Sequence, residues 1–264
     1  MERFIENILK ILNTYGSSLW LGVRTTIFVA ITGTCIGLVL GLIVGGIRAI
    51  KLDYNASKLA KVGKKIIDTI LNIYIAVFRG TPMMVQALFI YYLLLDYIHW
   101  TPLQAAVVVI SINTGAYMAE IVRSGIQAVD VGQSEAARSL GMSNWQTMMN
   151  VILPQAIKNA FPAIGNEFIV NIKDSSVLMI ISITELMFQA KSIAGSTFLF
   201  TETYFIEAVI YLILTSIAAI ILNTIENRMS KTKTSLPQSV TAPENLAYAT
   251  EKEQLGGNSD YVSR

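Results

Sequence analysis

Apolar residues along this chain gather into runs long enough to cross a bilayer, with charge confined to the stretches between them. A crossing helix needs about 20 mostly apolar residues, with about 17–25 tolerated. The clearest run holds 23 uncharged residues, Thr25 to Ile47, between Arg24 and Arg48. A second runs from Pro82 to Leu95 and closes at Asp96, His99 and Trp100. There Thr81 is expected as the N-cap and Pro82 as the first helical residue, where its missing N–H is harmless. Thr101 and Pro102 repeat the device for a third helix expected to reach about Ala119. A fourth span covers roughly residues 155–181, interrupted by Lys173 and Asp174 and kinked by Pro162 near its start. The fifth is clearest in the 18 uncharged residues from Ala208 to Ile225. The pattern predicts an all-α integral membrane protein with about five transmembrane helices.

Lys and Arg in the short connections orient such a chain. Arg48, Lys51, Lys58, Lys61, Lys64, Lys65 and Arg79 lie between the first two spans, and none lies between the second and third. Arg123, Arg138 and Lys158 follow the third, and Arg228, Lys231 and Lys233 follow the fifth. The alternation predicts an N-terminus outside and a C-terminus in the cytoplasm. Residues 66–79 have helical character, with Asp68, Asn72 and Arg79 near one face. They form either an elbow in the cytoplasmic interface or a straight extension of span two. The expected organisation is an extracytoplasmic segment over 1–17, a membrane domain over 18–227 with a cytoplasmic helical hairpin at about 130–154, and a tail over 228–264. The tail is rich in Ser, Thr, Asn, Gln and mixed charge and is expected to be disordered.

Composition agrees: only 14% of the 264 residues are charged, against roughly 25% in soluble domains. One cysteine, Cys35, excludes a disulfide framework, and one histidine, His99, argues against a His-based metal site. A net charge of +2 gives no reason to expect nucleic acid as a partner. The sequence contains no G-x-x-x-x-G-K-[ST] phosphate loop, so no cofactor is expected in this chain itself. The first residues carry Glu2, Arg3, Glu6 and Lys10 and do not resemble a removable signal peptide.

Three patterns inside the spans carry more information. Gly33, Gly37, Gly41 and Gly45 recur every four residues and form one groove, a tight packing face within the subunit or against another. Asn113, Tyr117 and Glu120 share one face of the third span, a face that has to meet water or other helices. They line a substrate pathway, or Glu120 simply pairs with Arg123. Glu167, Asn171 and Asp174, with Lys173 adjacent, recur likewise in the fourth span. Acid and base together at that depth either grip a zwitterion or pair to hold the bundle.

Between the third and fourth spans the chain reads GQSEAARSLGMSNWQTMMNVILPQA, from Gly132 to Ala156. Glu135 to Leu140 is helix-forming, Gly141 fits a left-handed C-terminal cap, and Ser143 with Gln146 forms a capping box for a helix running towards Pro154. Such a hairpin suits docking into a partner's groove. It resembles the coupling signature of bacterial ATP-binding-cassette importer permeases, E-A-A-x-x-x-G, nine residues, then I-x-L-P. Glu135, Ala136, Ala137, Gly141, Leu153 and Pro154 match, and Val151 stands in place of Ile. Arg79-Gly80-Thr81-Pro82 with Val85-Gln86, Ala116-Tyr117-Met118-Ala119-Glu120 with Arg123, and Lys173-Asp174-Ser175-Ser176-Val177 resemble stretches of the polar amino acid uptake permeases. In the last stretch Ser175 and Val177 replace Thr and Leu.

The resemblance covers roughly residues 18–227 and implies a type I importer permease in a bacterial plasma membrane. Its implied partners are a second permease chain, identical or related, two ATPase subunits that bind ATP and Mg, and an extracytoplasmic amino-acid-binding protein. In that reading the Ala136-Ala137 surface approaches the ATPase groove. ATP-driven closure then tilts the spans between inward- and outward-facing states. The alternative class is an ion- or proton-coupled secondary transporter, with Glu120, Glu167 and Asp174 as relay sites.

Overall fold

A computed structural model of the chain describes residues 2–50, 52 and 57–231. One compact unit covers Met1–Glu226; of a second, Asn227–Arg264, only the residues up to Lys231 are described. Helix α1 (Glu2–Ala49) is followed by α2 (Lys58–Gly80), α3 (Met83–Ile98) and α4 (Pro102–Gln127). A hairpin of α5 (Val131–Ser139) and α6 (Asn144–Thr147) leads through a π-helical turn, Met148–Ile152, into α7 (Leu153–Asp174). A 3₁₀ segment, Ser175–Ile181, then precedes α8 (Leu186–Thr197) and α9 (Phe200–Lys231). No strand occurs among the described residues.

Three helices, α1, α4 and α9, are long and apolar enough to cross a membrane unaided. The expected total of five is reached when each of two bent pairs counts as one span. One pair is α2 with α3, bent by 114°; the other is the Asn144–Ile181 run with α8, bent by 56°. Residues 2–17 form the start of the same 48-residue helix that holds the first span. Ile11, Leu19 and Val23, with Ile8 and Tyr15, recur at helical spacing and pack on Leu186 and Ile193 of α8 and Ile206 of α9. At the other end, α9 carries residues 228–231 of the expected tail, and the rest of that tail lies outside the described residues.

The closest packing joins α1 to α4. A Cβ built on Gly33 would sit 2.5 Å from Ile110 Cγ2, and one on Gly37 would sit 2.7 Å from Thr114 Cβ. On Gly41 it would overlap the Cβ and backbone of Met118, and on Gly45 it would lie 2.8 Å from the Ala119 carbonyl and 3.1 Å from Val122 Cβ. Each step of four along α1 meets a step of four along α4, so the two helices run parallel and in register. The glycine row therefore serves packing within the subunit.

Two Thr-Pro dipeptides behave differently. At Thr101-Pro102 the expected N-cap forms: Thr101 Oγ1 accepts from the Gln104 N–H, and the Gln104 carboxamide returns a bond to the Thr101 N–H. At Thr81-Pro82 it does not. Thr81 closes α2 in an extended conformation, its hydroxyl donating to the Val77 carbonyl, and Pro82 takes the N-cap position ahead of Met83. The residue at the reciprocating position is Met84, which offers no acceptor, and a residue before proline is driven from helical backbone. Gln86 and Asn113 instead satisfy the exposed carbonyls. Gln86 Nε2 donates to Phe78 O (3.0 Å) and Thr81 O (2.9 Å), Asn113 Nδ2 donates to Phe78 O (3.1 Å), and the two amides bond to each other at 2.9 Å. A helix break whose carbonyls are shielded from water is stable only with such partners. Residues 66–79 thus belong to the elbow helix α2 rather than to a straight extension of α3.

The glycine row generates a test with an internal control. A Cβ on Gly46 meets nothing within 4 Å, so Gly46→Ala should leave the detergent melting midpoint unchanged or slightly raised, alanine being favoured in helices by about 1 kcal/mol. Gly41→Ala carries the same propensity gain yet should lower the midpoint, because overpacking a tight contact costs about 1–3 kcal/mol.

Candidate functional site

The hairpin between α4 and α7 is built from local rules. Asp130 caps α5 by accepting from the Gly132 N–H at 2.7 Å. Gly141, at φ +81°, ends it: its N–H donates to Arg138 O (2.9 Å) and the Met142 N–H to Ala137 O (3.2 Å). These bonds define a Schellman cap, for which a left-handed residue is required. Ser143 and Gln146 form the expected capping box on α6. A π turn then follows, ahead of Pro154. Proline offers no N–H to the carbonyl four residues back and crowds it, and the wider turn relieves both faults, the Leu153 N–H reaching Met148 O instead.

Glu135 and Ala136 lie on the exposed side of α5, whereas Ala137 is buried, 4% exposed. One helix position turns the side chain by about 100°, which points Ala137 back into the hairpin while Ala136 faces out. Outward apolar surface comes instead from Leu140 (84% exposed), Trp145 (67%), Val131 and Met149. Leu153 is half-buried and Pro154 exposed at the start of α7.

Three of the polar residues expected along a pathway are engaged in holding helices together. Asn113 caps the α2–α3 break. Asn171 is buried between two threonines, its Nδ2 donating to Thr34 Oγ1 (2.8 Å) and its Oδ1 accepting from Thr114 Oγ1 (3.0 Å). That knot joins α1, α4 and α7. Glu120 pairs with Arg123 at 2.7 Å, as one reading expected, and also with Arg48 at the end of α1.

The others stand differently. Arg79, at the last turn of α2, places its guanidinium carbon 5.2 Å from the centre of the Tyr117 ring, a cation–π contact. Glu167 of α7 interacts electrostatically with Arg79 and with Asp174, two turns further along the same face. Lys173 is exposed, about 100° round the helix from its neighbour Asp174. Directly after Asp174 the backbone tightens into the 3₁₀ segment, where Ser175 Oγ donates to Ile172 O at 2.8 Å. A base over an aromatic ring, within electrostatic reach of the Glu167 carboxylate on another helix, can hold a molecule carrying both charges. The described residues contain no cluster of His, Cys, Asp or Glu suited to a metal ion.

Sequence reasoning gave no site role to Thr34, Thr114, Gln86 or Arg79, naming Gln86 only within a motif and Arg79 only within that motif, the basic connection and one helix face. The available signal was a polar residue beside a glycine of the packing row, such as Thr34 beside Gly33. It also missed Glu185, 0% exposed, which caps α8 by accepting from the Met187 N–H (2.9 Å) and Phe188 N–H (2.7 Å) and also receives the Tyr211 hydroxyl (3.0 Å).

Residues 56–231 match the family model described as "Binding-protein-dependent transport system inner membrane component". The chain is 37% identical over 211 residues to the glutamine transport system permease protein GlnP of Escherichia coli K12, covering 79% of this chain and 91% of that protein. It is 36% identical over 210 residues to the probable amino-acid permease protein YxeN of Bacillus subtilis 168, covering 78% of this chain and 88% of that one. A crystal structure of an amino acid ABC transporter with histidines contains a chain that superposes with a TM-score of 0.73 at 38% identity, covering 84% of this chain and 98% of that chain. With a fold, a hairpin signature and relatives that agree over most of its length, the chain belongs to the inner membrane components of binding-protein-dependent transport systems.

Proposed function

We propose that this chain is the membrane-spanning permease subunit of an ATP-driven amino acid importer, and that the α5–α6 hairpin couples it to a separate ATPase. The observation that carries this reading is the hairpin itself. Its two helices are capped rigidly by Asp130, the Gly141 Schellman turn and the Ser143–Gln146 box, yet Leu140 and Trp145 stand out of it unburied. Rigid backbone with exposed large apolar groups is the anatomy of a docking element. Glu135, Ala136 and Gly141 supply its charge, its close approach and its shape, while Leu153 and Pro154 carry a push into α7.

ATP hydrolysis belongs to the partner subunits, which would hold ATP and Mg. The complex would contain two of them, a second permease chain, identical or related, and an external amino-acid-binding protein. The basic connections would face the cytoplasm, leaving the N-terminus outside the bacterial plasma membrane. Substrate would pass Arg79, Tyr117, Glu167 and Asp174, with Lys173 at the margin. The carboxylate of an amino acid would meet Arg79, and its ammonium group Glu167 and Asp174. Ion-coupled transport finds less support, since Glu120, one of its relay candidates, is committed to two arginines.

Co-purification from native membranes tests the hairpin. Gly141→Val should abolish ATPase association while the protein still inserts, because a β-branched residue resists positive φ. Gly141→Asn, which tolerates that backbone, should retain association. A separate measurement tests the pathway. In proteoliposomes supplied with binding protein and ATPase, Glu167→Gln with Asp174→Asn should lower amino acid uptake about tenfold or more, corresponding to about 1.4 kcal/mol or more of lost binding. The amount of ATPase bound should not change.

A further inference from the structure

A basic cleft of about 500 Å³ lies where α1 ends and α2 begins, away from the hairpin and from the Glu167–Asp174 face. Arg48, Lys61, Lys64, Lys65, Asp68 and Asn72 line it. Four of these are cations and one is a carboxylate, and the Asp68 carboxylate is held by Lys64. Arg48 gives one nitrogen to Glu120, which also binds Arg123. The local charge is therefore positive. Ile50 and Leu52 form an apolar edge.

The helix that supplies the lysines has a second unexplained property. Leu59, Val62, Ile66, Ile70, Ile73 and Val77 recur at steps of three and four, so they form one stripe along α2, and every one of them is exposed. Leu59 is 83% exposed. Lys61, Lys64 and Lys65 occupy the flanking and opposite sides of the same helix. A helix with an apolar stripe and a lysine-rich remainder lies at a bilayer surface, its stripe among acyl chains and its charges at headgroup level.

We propose that this cleft binds the phosphodiester headgroup of an anionic phospholipid whose acyl chains lie along the α2 stripe. The positive charge selects an anionic headgroup over a zwitterionic one, and the Asn72 carboxamide adds a donor for the phosphate oxygens. The stripe distinguishes a lipid from a soluble phosphate, which would need the charges alone. Each lysine near an anionic headgroup contributes roughly a factor of five in binding.

The test uses the full chain purified in mild detergent, with native mass spectrometry counting bound lipid. Phosphatidylglycerol should add to the protein at concentrations where phosphatidylcholine of the same chain length does not. Lys61→Gln with Lys65→Gln should weaken that addition on the order of tenfold or more, with an unchanged gel-filtration profile. Lys158→Gln, an exposed lysine of α7, should have no effect. Glycerol phosphate in excess should fail to displace the lipid. Equal addition of both lipids, an unaltered Lys61/Lys65 variant, or displacement by glycerol phosphate would each overturn the proposal. A covered stripe would overturn it as well, and Ile70→Cys in a Cys35→Ala background reports this by forming a disulfide-linked dimer in membranes treated with added copper–phenanthroline as oxidant if a second copy of the chain packs there.

Discussion

In a bilayer the hydrophobic effect does not press helices together, so α1 and α4 hold each other by short-range dispersion and by what their proximity allows. Four glycines let the two backbones approach until an added methyl group would collide with Ile110, Thr114 or Met118. The Asn171 amide depends on that approach. It bonds Thr34 on one helix and Thr114 on the other, and those threonines adjoin or face the glycine row. A wider separation would leave one bond unmade in a medium without water. The same proximity brings Arg48 of α1 to Glu120 of α4. The position of α7, and with it the Glu167–Asp174 face, follows from how tightly α1 and α4 close.

Spans, hairpin and glycine row were legible because each rests on a local rule. Apolar length marks a crossing, a left-handed residue ends a helix, and regular glycines open a groove. The two Thr-Pro pairs show where local rules stop. They are identical as dipeptides, and what separates them is the residue three after the threonine, Gln104 in one and Met84 in the other. Without a reciprocal side chain the Thr81-Pro82 pair became a sharp break. The amides that sustain it, Gln86 and Asn113, lie 27 residues apart, so no local pattern could identify Asn113 as a cap.

Polar residues inside spans were the least legible feature. Periodicity puts Asn113, Tyr117 and Glu120 on one face, but it does not say whether that face meets a pathway or another helix. Three-dimensional pairing divides them: Asn113 caps, Glu120 joins two arginines, and Tyr117 receives Arg79. The burial of Ala137 beside exposed Ala136 is a similar case. Their helix phase is readable, but what each phase faces depends on where the returning chain at Met148–Ile152 passes.

That π turn bears on how the chain tolerates change in length. It accommodates one residue more than an α-helical turn within a helix that otherwise runs from Asn144 to Asp174. Loss of a single residue there would return the turn to α-helical geometry, and because the wider turn already absorbs that residue, the side chains on either side would keep close to their present directions. Loss of a residue from the regular part of α7 before Glu167 would instead turn Trp145 by about 100° relative to Glu167 and Asp174. The angular phase between the outer surface of the hairpin and the interior of the bundle is set by a count of residues in the regular helix, and the π turn ahead of Pro154 is where that count has slack.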